Sequence, residues 1–469
     1  MPTDIPELFI KQMEALLPDE AKQLTEALRS EPETSIRLNL QKSALDTKGE
    51  AVAWCDCGRY LADRPQFTFD PLLHAGAYYV QDASSMFIHH LLRHLVGNKD
   101  ITYLDLCAAP GGKTTTALGA LSDGSLVVAN EIDRLRVQIL RENVTKWGCR
   151  NAVVSCDTPR NLGHLHHFFD VIAADMPCSG EGMFRKDEEA RAQWNPALVT
   201  QCAERQRQIA DDIWNALKPG GLFIYSTCTF NLEENERMAE YIAETLGATC
   251  VEVPIANDWK IHPPIDSSCD GYRFMPHLTR GEGLFVAVLR KDGNPEDCRP
   301  AAKQQKQKPQ KPLPSLTKIR EMLRQPDDFD LTMEGDTIYA IPRAYTKAIQ
   351  QIRKTANTLQ AGIPMATVKG KDVVPSQAAA HSRQLSPDAF PKAEVDYPTA
   401  ISYLRGETIG LPENTPKGYV LIFYQGLALG FVKNLGNRAN NCYPREWRIR
   451  SSHTPSSIPE ILNRQLNPS

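Results

Sequence analysis

The sequence predicts an α/β protein centred on a doubly wound, mostly parallel sheet, with smaller units before and after it. Two observations carry that reading. Between Ile101 and about Arg290, short apolar runs alternate with helical stretches, the pattern of strands covered on both faces by helices. Outside that span the pattern changes. A mixed segment precedes it, and a break rich in lysine, glutamine and proline follows it.

Residues 1–74 read as a small α/β unit, with an amphipathic helix from about Ile5 to Leu17 and a strand at Ser35–Leu40. Asp82-Ala-Ser-Ser then opens an apolar helix through Met86, Leu91 and Leu95, because its polar side chains can cap a first turn. The central unit, residues 75–291, carries the strand candidates TYLDL, SLVVAN, NAVVSC, DVIAAD, GLFIYST and GLFVAVLR. Among its helices, Arg134–Trp147 places Val137, Leu140 and Val144 on one face. Residues 292–312 form a basic linker, overlapping a stretch from Arg299 to Arg320 that has no acidic residue. Such a stretch is a solvated connection or one that also touches phosphates. Residues 313–385 read as an α/β module and 386–469 as a β-rich one. In the latter, Gly418–Tyr424 and Leu427–Val432 flank Gln425-Gly426 as a hairpin. With its own strands and a proline-rich approach, the last module is expected to fold and detach as a unit.

Composition narrows the function. At 469 residues, with 42% hydrophobic and 23% charged residues, the chain is an ordinary multidomain globular protein. No apolar run approaches the ~20 residues of a membrane span. The N-terminus is acidic and lacks a cleavage-site pattern, so a cytoplasmic protein is expected. Net charge is −4, which leaves only local basic patches for nucleic acid. The 12 cysteines are scattered without a C-x-x-C pair, Cys55 and Cys57 coming closest. Neither a metal site nor a disulfide framework is expected, and most cysteines should be small buried residues in a reducing compartment.

The stretch LDLCAAPGGKTT, Leu104–Thr115, comes close to a phosphate-binding P-loop, but the first glycine of that pattern would fall on Cys107. The strand ends decide against it. Asp105 precedes the turn, the second strand runs into Glu131, the third into Asp157, and the fourth ends at Asp175. In an open α/β sheet, ligands bind beyond the carboxyl ends of the strands. Acids there suit ribose hydroxyls, an adenine amino group and an ammonium, and they repel a triphosphate. S-adenosyl-L-methionine fits this description. Helix capping accounts for one or two such acids, and a salt bridge to one of them is an equally good role for Lys113. Two cysteine neighbourhoods face the same crevice: Asp175-Met-Pro-Cys-Ser-Gly-Glu-Gly182 after the fourth strand, and Tyr225-Ser-Thr-Cys-Thr229 ending the fifth.

DMPCSGEG, YSTCT and LCAAPGGKT resemble the motifs of the RNA cytosine-C5 methyltransferase family that includes the NOL1/NOP2/Sun proteins. SIRLNL and YYVQDASSM are similar to its N-terminal motifs. The C-terminal GYVLIFYQGLALGFVKNLGNRANNCYPREWRIR resembles the PUA-like RNA-binding end of one bacterial branch, which acts on small-subunit ribosomal RNA. Met176 departs from the alanine or proline common in the DxPCSG motif and leaves its chemical residues in place. The resemblance implies a Rossmann-like S-adenosylmethionine-dependent core, an N-terminal RNA-binding domain over 1–74 and a PUA-like domain over 386–469.

It also implies roles. Cys228 is the nucleophile that adds to C6 of cytosine, and Cys178 serves adduct breakdown and release. The reverse assignment stays open, because DNA cytosine methyltransferases attack from a Pro-Cys motif. Asp175 meets the cytosine edge or the methyl-donor end of the cofactor. Cys107, Ala108, Ala109, Pro110, Gly111, Gly112 and Lys113 form the cofactor turn, Glu131 holds the ribose hydroxyls and Asp157 the adenine amino group. Asp105 ranks below these. The expected partner is ribosomal RNA or the small subunit, 16S rRNA in particular, with no membrane and no metal, and the chain acting as a monomer. Another rRNA or a tRNA cytosine, or a non-catalytic ribosome-assembly role, are the alternatives. Lys433, Arg438, Arg445, Arg448 and Arg450, interleaved with Tyr443 and Trp447, suit phosphate contact plus base stacking. A charged, solvated surface would look the same.

Overall fold

A computed structural model describes residues 4–42, 47–294, 314–370, 372–453, 455 and 458–462. Most of the expected basic linker lies outside the described residues.

The chain opens with helices α1, Glu7–Leu16, and α2, Ala21–Leu28. Pro6 starts the first where its missing N–H costs nothing, and Phe9 and Met13 form its buried stripe. Strands β1 (Thr34–Leu38), β2 (Glu50–Val52), β3 (Cys55–Leu61) and β4 (Tyr78–Val80) make a sheet in the order β2-β3-β1-β4. The N-terminal sheet thus reaches past residue 74 to Val80. Helix α3, Phe87–Leu95, follows a short turn that Asp82 begins by accepting the Ser84 N–H at 3.0 Å.

The central sheet is built from β5 (Thr102–Asp105), β6 (Leu126–Asn130), β7 (Ala152–Ser155), β8 (Phe169–Asp175) and β9 (Leu217–Thr227). Helices α4 (Gly112–Ala120) and α5 (Arg136–Trp147) lie between the first three, and α6 (Pro196–Ile213) precedes β9. After α7 (Glu236–Leu246) come β10 (Ala248–Cys250), β11 (Tyr272–Phe274) and β12 (Leu284–Lys291). Neighbouring pairs β7-β6, β6-β5, β5-β8 and β8-β9 are parallel, and β12 closes antiparallel on β9. Strand order reverses at β5, so the crevice between β5 and β8 is the switch point where such sheets bind ligands. Strand β6 is buried along its whole length, each large aliphatic contributing roughly 1.5–3 kcal/mol by burial. An ionised side chain at Val128 would break it.

The C-terminal modules depart from expectation. Strands β13 (Phe329–Glu334), β14 (Thr337–Pro342), β16 (Ile363–Lys369) and β17 (Asp372–Pro375) form a sheet of their own. Helix α8, Thr346–Thr355, and β15, Thr358–Ala361, belong elsewhere: β15 adds antiparallel to β7 and extends the central sheet. Ile349 and Ile352 of α8 join the core on that sheet's helix-α6 side. The last sheet, β18 (Lys392–Glu394), β19 (Gly418–Tyr424), β20 (Leu427–Asn434) and β21 (Ala439–Asn441), contains the expected hairpin. Gln425 and Gly426 turn it with φ of 47° and 68°, the left-handed pair that a tight hairpin requires.

This unit is docked rather than hung. Tyr397, which opens helix α9 (Tyr397–Arg405), donates its hydroxyl to the Phe69 carbonyl at 3.1 Å. The Tyr443 hydroxyl pairs with His74 Nδ1 at 3.3 Å, and one apolar core runs from the N-terminal unit into the last one. The expectation of a detachable module is therefore overturned, because removing it would expose aromatic core. Tyr443 is only 2% exposed, so it packs where base stacking was expected. A second correction concerns the cysteines: Cys250 and Cys269 are disulfide-bonded.

Candidate active site

The turn after β5 places the cofactor residues by local geometry. Gly111 has φ of 114° and caps α4, a conformation open to glycine and costly for other residues. Asp105 sits beneath it, accepting the Thr114 hydroxyl at 2.6 Å and 1% exposed. Burial, outweighing that hydrogen bond, pushes its carboxyl up to about 7. Burial also raises the Cys107 thiol, which marks it as an inert wall of the turn. Ala108, Ala109, Pro110, Gly112, Lys113 and Asp175 line a cavity of about 220 Å³ together with Tyr79 to Asp82 and Ser85. The N-terminal motif YYVQDASS thus supplies the opposite wall, a role its sequence did not reveal.

Glu131 is 3% exposed beyond β6. Its Oε1 accepts the Asp133 N–H at 3.0 Å, and Oε2, which Arg136 approaches to 3.5 Å, receives no hydrogen bond. Asp157 is more committed. Its oxygens accept Asn161 Nδ2 at 2.6 Å and the Asn357 N–H at 2.8 Å, so it ties the central sheet to the following module.

At the end of β8, Asp175 Oδ2 meets Lys113 Nζ at 2.8 Å and Oδ1 accepts Ser226 Oγ at 2.8 Å. Burial alone would lower the Lys113 pKa, but the facing Asp175 outweighs it and the ammonium is raised. Cys178 and Cys228, ending adjacent parallel strands, bring their sulfurs to 3.2 Å. The contact to Cys228, and then burial, hold the Cys178 thiol well above its ordinary pKa. Lys113 is close enough to interact electrostatically with Cys228.

Two buried carboxylates, which the sequence reading missed, hold these loops together. Glu181, fully buried, accepts the backbone N–H groups of Phe230 at 2.8 Å and Asn231 at 2.9 Å, and Trp194 Nε1 at 3.1 Å. Glu234 accepts the Ser179 N–H at 3.0 Å and Gln206 Nε2 at 2.8 Å, and burial raises its pKa. Asn231 Nδ2 bridges both carboxylates, at 3.1 and 2.9 Å. Gly182 completes the clamp: its N–H donates to the Cys228 carbonyl at 2.9 Å, and a Cβ there would lie 2.9 Å from that oxygen. Phe9 of α1 packs against Phe184 and Trp194 at 5.0 and 5.8 Å, bracing the loop from outside. The glutamates of DMPCSGEG and NLEENE were the visible signal.

Comparison with known proteins agrees with this arrangement. Residues 93–290 match the family model described as 16S rRNA methyltransferase RsmB/F. Residues 5–83 match the N-terminal domain of 16S rRNA methyltransferase RsmF, and 390–449 the methyltransferase RsmF PUA domain. A ribosomal RNA small subunit methyltransferase F of Vibrio vulnificus is 30% identical over 473 residues, covering 94% of this chain and 97% of the relative. The chain belongs to this family, within the NOL1/NOP2/Sun methyltransferases. The counterpart of Shewanella loihica is 30% identical over 441 residues, covering 88% of each. Among solved structures, NSun6 from Pyrococcus horikoshii with SFG aligns with a TM-score of 0.53 at 20% identity, over 63% of this chain and all of that one. A methyltransferase homologue from the same organism gives 0.52 at 24% identity, over 61% and 95%. These two share the Rossmann-like fold, and in this chain a PUA domain lies C-terminal to it.

Proposed function

We propose that the protein transfers a methyl group from S-adenosyl-L-methionine to C5 of a cytosine in small-subunit ribosomal RNA, through a covalent cysteine adduct. The observation that carries this reading is the pair of thiols, Cys178 and Cys228, 3.2 Å apart beside the Lys113–Asp175 ion pair. The names of the full-length relatives support the substrate class. The residues fit the cofactor. Glu131 Oε2 is a buried acceptor lacking a hydrogen-bond donor, which a ribose hydroxyl would supply, and Cys107 to Pro110 and Gly112 of the turn line the cleft. S-adenosylmethionine provides the electrophilic methyl group. With Oδ1 accepting both the Thr158 N–H and Asn161 Nδ2, and Oδ2 accepting the Asn357 N–H, Asp157 has at most one further lone pair for an adenine amino group.

C5 of cytosine is a poor nucleophile until C6 is made tetrahedral. The Cys228 thiolate forms a bond to C6, and the displaced π electrons let C5 take the methyl group. A base then removes the C5 proton, and the electrons flow back to expel Cys228 as a thiolate. Cys178 stands 3.2 Å from the departing sulfur, where it serves breakdown of the adduct, and Asp175, held by Lys113 and Ser226, faces the cytosine edge. Because C6 is hidden in a stacked helix, the target must be unstacked or flipped out. The test uses labelled S-adenosylmethionine with small-subunit rRNA as naked transcript and as assembled particle. Cys178→Ala should accumulate a covalent protein–RNA species on a denaturing gel. Accumulation with Cys228→Ala instead would reverse the two roles, and label at a ring position other than C5 would overturn the reaction.

A further inference from the structure

Away from the cleft, four side chains converge where the N-terminal sheet meets helix α3. Cys55, Asp56 and Cys57 of β3 and His89 of α3 place one ligand-type atom each within 4.8 Å of all the others. We propose that these four residues bind a structural zinc ion. The expectation of no metal rested on the absence of a C-x-x-C pair, but here a strand supplies C-D-C and a distant helix the histidine.

The spacing suits the ion. Cys55 and Cys57 sulfurs lie 3.5 Å apart, and His89 Nε2 is 3.2 Å from Asp56 Oδ1. Tetrahedral zinc, with bonds of about 2.3 Å to sulfur and about 2.1 Å to nitrogen or oxygen, separates two sulfurs by about 3.8 Å and a nitrogen–oxygen pair by about 3.4 Å. These two pairs need shifts of only a few tenths of an ångström, and the sulfur-to-nitrogen and sulfur-to-oxygen separations, all within 4.8 Å, must close to about 3.6 Å around the ion. Cys55, Cys57 and His89 are 1%, 5% and 8% exposed, while the Asp56 carboxylate closes the solvent side. Four protein ligands with no open position make a structural site rather than a catalytic one.

Charge supplies the second argument. Arg37, 1% exposed, lies beside Cys57. Its hydrogen bonds go to neutral acceptors: Gln81 Oε1 at 2.7 Å, Thr115 Oγ1 at 2.6 Å and the Gly112 carbonyl at 3.5 Å. Among the described residues no carboxylate forms an ion pair with it. A buried guanidinium without a counter-charge is costly. Zinc binding releases the two thiol protons to water and moves no electrons. Two thiolates and one carboxylate around a divalent ion leave one negative charge, which Arg37 neutralises. The ion would thereby staple the N-terminal sheet to the catalytic unit and, through Arg37, to helix α4 behind the cofactor turn.

The test is metal content of the full-length protein purified without a histidine tag. One zinc per chain is expected, and cobalt-exchanged protein should show a thiolate-to-metal charge-transfer band. Cys57→Ser and His89→Ala should lower zinc occupancy at least tenfold and remove that band, with S-adenosylmethionine binding as the check on folding. Asp56→Asn, at an exposed position, should weaken zinc binding without unfolding the chain. Should the buried variants fail to fold, chelator-treated wild-type protein titrated with zinc and with cobalt decides: saturation at one equivalent, with the band, supports the site. Failure to take up either ion would overturn it. So would equal metal content in every variant, which would place the ion elsewhere, or a Cys55–Cys57 disulfide in protein prepared under reductant.

Discussion

The two halves of the active cleft are held in place by different means. The cofactor half is local: Gly111 turns, α4 begins, and Thr114 reaches back to Asp105 nine positions earlier. The cysteine half is not local. Glu181 holds the backbone of Phe230, 49 positions later, and Glu234 holds Ser179, 55 positions earlier. The difference follows from the tasks. A turn that lets backbone approach a ligand needs only the right φ and ψ, whereas two sulfurs from separate strands must reach one base within a few tenths of an ångström. That accuracy comes from buried, charge-assisted hydrogen bonds.

Cys228→Ala removes the nucleophile and should lower methyl transfer by on the order of 10³-fold or more. Cofactor affinity by calorimetry should stay within a few-fold, since the two halves are held independently. Loss of both together would show that they are not. Gly182→Ala tests the clamp. Its new Cβ would crowd the Cys228 carbonyl at 2.9 Å and the Gly283 carbonyl at 2.9 Å, so one loop must move. A displacement of this size should cost roughly 10²-fold in kcat, with the cofactor dissociation constant unchanged.

Glu131→Gln probes the other half. Losing a charged acceptor for a ribose hydroxyl should weaken cofactor binding about tenfold, roughly 1.4 kcal/mol, while the covalent trap of Cys178→Ala still forms at saturating cofactor. The smallest effect concerns Asp105. Its carboxyl is held at about 7 by burial, against an ordinary 3.8. The folded protein therefore binds more protons than the unfolded chain between those values. Its contribution makes stability fall as pH rises through that window and levels off above it. Asp105→Asn should flatten this slope in urea melts. Asp70, raised to about 6 by burial, keeps part of it.

Much of this protein was determined by its sequence. Strands β5 to β9, the helices between them, the Gly111 turn and the Gln425–Gly426 hairpin follow from apolar periodicity and from φ values that act over a few residues. The cysteine motifs and strand-end acids were legible because each ends a recognisable strand. Tertiary structure alone decided which groups became partners. No local pattern says that β15 will leave its own module to edge the central sheet beside β7. None says that Tyr443 will turn inward against His74 instead of outward among the arginines. Nor does a C-D-C strand announce that His89 will close over it. Backbone conformation is set by neighbours in sequence. The partner of a buried charge, thiol or ring is set by what the closed fold brings near, because burial makes an unpaired polar group costly only once the chain has excluded water around it.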